Sequence, residues 1–100
     1  VRDGGVPITT GVLIIATTST ITSDPPLWNE AVRSGSNLYY ASHSQSAGSY
    51  DLSARVSATA YNVYAWYSKL SGEVATTTRK SATVTVADSA TTYTVNFNWP

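Results

Sequence analysis

Hydrophobic and polar residues alternate along much of this chain, with the period of two that is typical of β-strands. At residues 61–67 both faces of the pattern carry large side chains, with Asn62, Tyr64 and Trp66 on the face opposite to the odd-numbered residues. Residues 49–56 have the cleanest alternation of a half-buried strand. Seven short segments are alternating or continuously apolar, and they are residues 12–18, 38–41, 49–56, 61–67, 73–78, 82–86 and 92–99. Short strands separated by turns predict an all-β fold, a two-layer antiparallel β-sandwich of about seven strands, transthyretin-like or Ig-like.

The strand faces also predict the core. Residues 12–18 are apolar on both faces, so we expect this strand to be covered on both sides. The side chains that the pattern turns inward most clearly are Val12, Ile14, Leu52, Val63, Val95 and Phe97. The one helix candidate, residues 27–35, is too short to be stable by itself and predicts at most a helical turn in a surface loop.

Composition narrows the protein class. The 100 residues are enough for a single β-sandwich domain over 1–100, and the lack of Met predicts that it is part of a larger protein. Charged residues make up 12% and the net charge is zero, which disfavours nucleic-acid binding. Low charge with abundant Ser and Thr favours an exported protein, in an extracellular, cell-surface or periplasmic location. The longest apolar run, residues 12–16, is too short to span a membrane.

Four segments, in this order, resemble a known family. Residues 5–16 (GVPITTGVLIIA) are similar to its opening "G-x-P-x-x-G" segment, and residues 47–52 (AGSYDL) to its "D-G-x-Y-x-L" strand. Residues 61–65 (YNVYA) resemble its "Y-x-V-x-A" strand, and residues 84–97 its closing hairpin. Together they resemble the carboxypeptidase regulatory-like domain, a transthyretin-like β-sandwich. Bacterial surface-adhesin repeats of a related sandwich type are the alternative.

The resemblance implies a non-catalytic accessory module, and the residues agree with this expectation. His43 is the sole histidine and lies in a polar stretch, with no Gly-x-Ser-x-Gly element elsewhere, so we expect an exposed loop residue. The carboxylates are scattered without the spacing of a calcium loop, and Cys is absent. We therefore expect no enzymatic activity, no catalytic residue, no metal and no cofactor.

Aromatic residues are the candidates for contact with a partner. Five of them are not needed by the predicted core, and they are Trp28, Tyr39, Tyr40, Tyr64 and Trp66. Exposed rings anchor protein interfaces or stack on sugars. Two alternatives stay open: the insertion at residues 27–40 covers Tyr64 and Trp66, or these rings form an exposed patch.

The sequence thus predicts an interaction or spacer module of a secreted or surface protein, whose partners are neighbouring domains or another surface protein. The alternative is a carbohydrate-binding module that uses Trp28, Tyr39, Tyr40 and Trp66 to hold a glycan.

Overall fold

The structure is a computed structural model that describes residues 1–24, 39–88 and 92–100. The strands in this part of the chain are β1 (Arg2–Asp3), β2 (Val6–Pro7), β3 (Val12–Thr17), β4 (Tyr39–His43), β5 (Tyr61–Ser71), β6 (Val74–Val84) and β7 (Asn98–Trp99). One 3₁₀ turn, Ser46–Gly48, is the helical element of the described residues. The predicted helical segment, residues 27–35, lies outside them.

The larger sheet has four antiparallel strands in the order β4-β3-β5-β6. Its inner face carries Val12, Ile14 and Ala16 from β3, while Ile15 points to the outer face. Both faces of β3 are buried, which confirms the prediction that this strand is covered on two sides.

The smaller sheet has the order β2-β1-β7. Gly4 and Gly5 join β1 to β2 with φ values of +57° and +83°, and a two-residue hairpin turn with two positive φ angles needs residues of this kind. The β1 strand runs parallel to β7, with Arg2 opposite Asn98. Two sheets with almost no helix make the described chain an all-β, sandwich-like structure.

The main core lies between the two layers. Phe97 and Trp99 pack there at a ring distance of 6.4 Å, against a set of buried side chains from the larger sheet. Four of the six predicted core residues are buried, and they are Val12, Ile14, Val63 and Phe97. The prediction was wrong for Leu52 and Val95, which are only half-buried because their segments border an open groove.

Several predicted strands differ from the observed ones. Residues 73–78 and 82–86 were expected to be two strands, but most of both belongs to the single strand β6, because β5 continues past Tyr67 and pairs along its whole length. Residues 49–56 form no strand, although their alternation is the most regular in the chain. Of residues 92–99, the strand in the described part covers only the last two.

Candidate functional site

A groove of about 550 Å³ opens between the inner face of the larger sheet and two extended segments, residues 49–54 and 92–96. Its apolar lining on the sheet side comes from Ala16, Val63 and Val84. The sheet supplies these side chains in alternate positions along neighbouring strands, so the groove has an apolar floor that is built by rigid elements.

The two segments that flank the groove resemble strands in their side-chain pattern. Tyr50, Leu52 and Ala54 are half-buried and pack on the core, while the residues between them are exposed. Among the described residues, no backbone hydrogen bond joins this segment to residues 92–96. The tie between them is a side chain: the Tyr50 hydroxyl donates to the Val95 carbonyl at 2.7 Å, and burial raises the pKa of Tyr50. Two strand-like segments therefore lie side by side without forming a ladder.

A pair of tyrosines fixes the far end of the first segment to the sheet. The Tyr61 hydroxyl donates to the Arg55 carbonyl at 2.6 Å, and the Arg55 N–H donates to the Tyr40 hydroxyl at 3.1 Å. The two rings meet edge to face at 6.0 Å. Burial, with a smaller contribution from Tyr40, raises the pKa of Tyr61 to about 12.

The outer face of the larger sheet buries two of the predicted contact residues. Tyr64 is 6% exposed and Trp66 is 2% exposed, with their rings 5.6 Å apart. They lie beneath residues 19–24, whose backbone they bind: the Ile21 N–H donates to the Tyr64 hydroxyl at 3.1 Å. The Trp66 indole N–H donates to the Ser23 carbonyl at 2.9 Å. The idea of an exposed patch was therefore wrong for these two rings, because residues 19–24 cover them. Most of the predicted cover, residues 27–38, lies outside the described residues.

The remaining predicted contact residues are not gathered with that pair. Tyr40 lies on the inner face of the sheet, half-buried against the main core. Tyr39 begins β4 opposite Thr17, and its side chain lies outside the described part of the chain. Trp28 also lies outside the described residues. The structure thus brings Tyr64 and Trp66 together and places Tyr40 on the other side of the sheet.

A second, smaller pocket of about 270 Å³ lies at the end of the sandwich where β5 and β6 extend beyond β3. The Lys69 ammonium donates to the Asp3 carboxylate at 3.0 Å, and the Tyr67 hydroxyl donates to the same carboxylate at 3.2 Å. The hydrogen bond from Lys69 lowers the pKa of Asp3, and the same bond raises the pKa of Lys69. The Tyr67 ring meets Trp99 edge to face at 5.3 Å.

His43 is exposed, as expected, although it ends β4 rather than lying in a loop. Its Nδ1 donates to the Ser44 carbonyl at 3.0 Å. Within residues 1–24, 39–88 and 92–100, no group of three His, Asp or Glu side chains is placed to hold a metal ion. No helix among these residues has the length and hydrophobicity needed to cross a membrane.

Sequence reasoning missed both the groove and the end pocket. Asp3 and Lys69 are 66 positions apart, so their pairing has no local signal. The alternation of residues 49–56 and 92–99 predicted two extended segments. It did not predict that these segments would leave a groove by not pairing with each other.

In comparisons with known proteins, no protein-family model, no curated protein and no solved structure matches this chain.

Proposed function

We propose that this chain is a non-catalytic β-sandwich module of a secreted or cell-surface protein, and that its groove binds an extended segment of a neighbouring domain or partner protein. The observation that carries the proposal is the pair of strand-like segments, residues 49–54 and 92–96, that flank an apolar floor without pairing with each other. Backbone N–H and C=O groups outside a ladder are available to an added strand. The resemblance to carboxypeptidase regulatory-like domains, which implies an accessory role, supports the same proposal.

The shape of the groove limits what would fit. At a rise of about 3.3 Å per residue, the wall formed by residues 50–54 matches a bound strand of about five residues. Every second side chain of that strand would face Val63 and Val84, so these positions would be apolar. The charged side chains that line the groove are Asp51 and Asp88, which favours a segment with basic residues at its ends.

The test uses a synthetic peptide of alternating Val and Thr with Lys at each end. We expect it to slow amide hydrogen exchange at Ser53 and Thr94, because an added strand pairs with backbone groups on both walls. Val84→Lys places a charge on the apolar floor and should abolish the effect. Thr83→Lys is the matched control, since Thr83 is an exposed neighbour on the opposite face of β6.

Equal protection in the two lysine variants would contradict binding in the groove. So would a peptide that leaves the exchange of Ser53 and Thr94 unchanged at every concentration tested.

Carbohydrate binding is the second candidate, now at the end pocket. The pocket combines the Tyr67 ring and the Asp3–Lys69 ion pair with the threonines at positions 76 and 78, a mixture of apolar and polar groups that suits a sugar. Trp99 also lines it, and its indole N–H is buried without a hydrogen-bond partner among the described residues. An acceptor oxygen that reached this group would offset the cost of leaving it unpaired.

Retardation in gels that contain soluble polysaccharides tests this candidate. We expect Tyr67→Ala to remove any retardation and Tyr93→Ala to retain it, because Tyr93 is a partly exposed ring that lines the groove rather than the end pocket. Retardation that survives Tyr67→Ala would exclude the end pocket as the sugar site.

A further inference from the structure

The strand β6 is an edge of the four-stranded sheet, and it is 11 residues long. Of the described residues, only those of β5 pair with its backbone. A long edge strand presents a row of N–H and C=O groups that can pair with another strand. The sequence of β6 suits such pairing, because three consecutive threonines, Thr76 to Thr78, favour extended backbone.

The register of the hairpin shows which backbone groups face the open edge. Ser71 is opposite Val74 across the two-residue turn Gly72–Glu73, and the pair that closes such a turn exchanges both of its hydrogen bonds. Counting in twos from Val74, every even-numbered residue of β6 then bonds to β5. The odd-numbered residues, including Ala75, Thr77 and Arg79, direct N–H and C=O away from β5.

Charge along the edge selects one register for a second copy of this strand. A two-fold axis perpendicular to the sheet leaves every side chain on the same face of the sheet in both copies. One residue of β6 must therefore lie directly opposite its own copy, with the axis between the two. An axis through Arg79 or Lys80 would place like charges directly opposite each other, which is unfavourable. An axis through Thr76 instead brings Glu73, the turn residue that directly precedes β6, close to Arg79 of the second copy, twice by symmetry.

The same register satisfies the backbone. With Thr76 on the axis, Ala75 lies opposite Thr77 of the second copy, and both residues direct their backbone groups toward the open edge. The Arg79 guanidinium already lies on the outer face, 3.8 Å from the Asp24 carboxylate and 3.4 Å from the Ser23 carbonyl. It has five N–H donors, so it can engage Glu73 of the second copy as well.

We propose that two copies of this chain pair antiparallel through residues 74–78 of β6, with Thr76 beside the two-fold axis and Glu73 next to Arg79 of the second copy, to join two four-stranded sheets into one of eight strands. The partner of this edge is therefore a second copy of the chain. A contact of this size is small, so the dimer forms at high protein concentration and weakens as salt screens its two exposed ion pairs.

The first experiment reverses one charge at a time and follows sedimentation velocity. Glu73→Arg and Arg79→Glu each place two like-charge pairs across the interface, and each should weaken dimerisation by about tenfold or more. A mixture of the two variants should dimerise again, because every pair across the interface then carries opposite charges. Trp fluorescence of Arg79→Glu checks that the cover over Trp66 is retained.

The second experiment removes one outward N–H. Ala75→Pro deletes the donor toward the second copy while leaving the even-numbered bonds to β5, and it should abolish dimerisation. Ser81→Pro is the matched control, since it removes an outward N–H beyond the paired stretch and should retain the dimer.

Three results would overturn the proposal. They are a strictly monomeric wild-type protein, variants with reversed charges that fail to dimerise when mixed, and dimerisation that survives Ala75→Pro.

Discussion

At the residue scale, the Trp66 ring on the outer face of the sheet is fixed both by burial of its apolar surface and by the hydrogen bond of its indole N–H. Its indole N–H binds the Ser23 carbonyl, and Arg79 donates to the same oxygen. Asn62 makes a parallel contact, because its side-chain amide donates to the Ser19 carbonyl at 2.8 Å. The irregular chain at residues 19–24 is thus fixed to the sheet by side chains rather than by a ladder.

Replacing Trp66 with Ala tests this arrangement. We expect a loss of about 3–5 kcal/mol in the free energy of unfolding, from lost transfer energy plus a cavity. Leu70→Ala is the matched control, because Leu70 lies on the same face of β5 but is 70% exposed, and its loss should stay within about 0.5 kcal/mol. Urea denaturation of both variants gives the two values. Similar losses would mean that residues 19–24 do not cover Trp66 in solution.

Tyr61 should make the fold sensitive to alkali. Its pKa is raised from 10.0 to about 12, so the neutral form is favoured in the folded state. The resulting stability is complete below pH 10 and is lost as the pH rises through the interval up to about 12. The midpoint temperature of thermal unfolding, measured from pH 9 to 12, should therefore fall more steeply in the wild-type protein than in Tyr61→Phe. Parallel curves would argue against a buried hydroxyl at this position.

At the element scale, the β5–β6 hairpin is the most regular unit, with residues 61–71 of one strand opposite residues 74–84 of the other. Its turn depends on Gly72, which has a φ of +62° at the first of the two central positions. Beyond Tyr67 the two strands pair only with each other within the described chain, and their side chains there are mostly exposed.

Sequence patterns predicted these elements unevenly, for physical reasons. Residues 12–18 and 61–67 were assigned well, because strongly apolar strands at the centre of a sheet have few alternatives. Residues 79–81, which are Arg, Lys and Ser, interrupt the apolar pattern, so the sequence predicted two strands. In the structure the backbone stays extended through these residues because it pairs continuously with β5. Residues 49–56 alternate regularly, but alternation reports which face is covered and not whether a neighbouring backbone is present to pair.

The same distinction gives a prediction for hydrogen exchange. The amides of residues 52–54 belong to no described β-ladder. The strand β3, in contrast, is paired with β4 on one side and with β5 on the other, so its amides donate to neighbouring strands. In the free protein we expect the amides of residues 52–54 to exchange about a hundredfold or more faster than those of β3. Exchange measured by NMR checks this expectation. Equal protection would show that residues 49–56 form a strand after all, as the sequence alone predicts.

At the scale of the whole molecule, two apolar clusters share the central strands of one sheet. The larger cluster fills the space between the layers, and the smaller one, around Tyr64 and Trp66, lies on the outside. The candidate sites could not be predicted from the sequence, because the groove depends on where residues 49–54 and 92–96 end up relative to each other. The aromatic residues were found by composition, but their burial depended on the path of residues 19–24.

Phe97→Ala tests the larger cluster. Phe97 is 3% exposed, so we expect a loss of about 3–5 kcal/mol in the free energy of unfolding. Tyr93→Ala is the control on the same segment, because that ring is 37% exposed and its loss should be about 1 kcal/mol or less. A small loss at both positions would show that residues 92–97 do not close the core.

The pairing of β1 with β7 also has a mechanical meaning. The two strands are parallel and lie near opposite ends of the chain, with the Arg2 N–H donating to the Phe97 carbonyl and the Gly4 N–H to the Trp99 carbonyl. A force that pulls residue 1 away from residue 100 therefore acts along both strands in opposite directions. It shears these hydrogen bonds together instead of opening them one after another. For a module that separates other domains, this geometry would slow unfolding under tension, where the rate of unfolding matters more than the equilibrium stability.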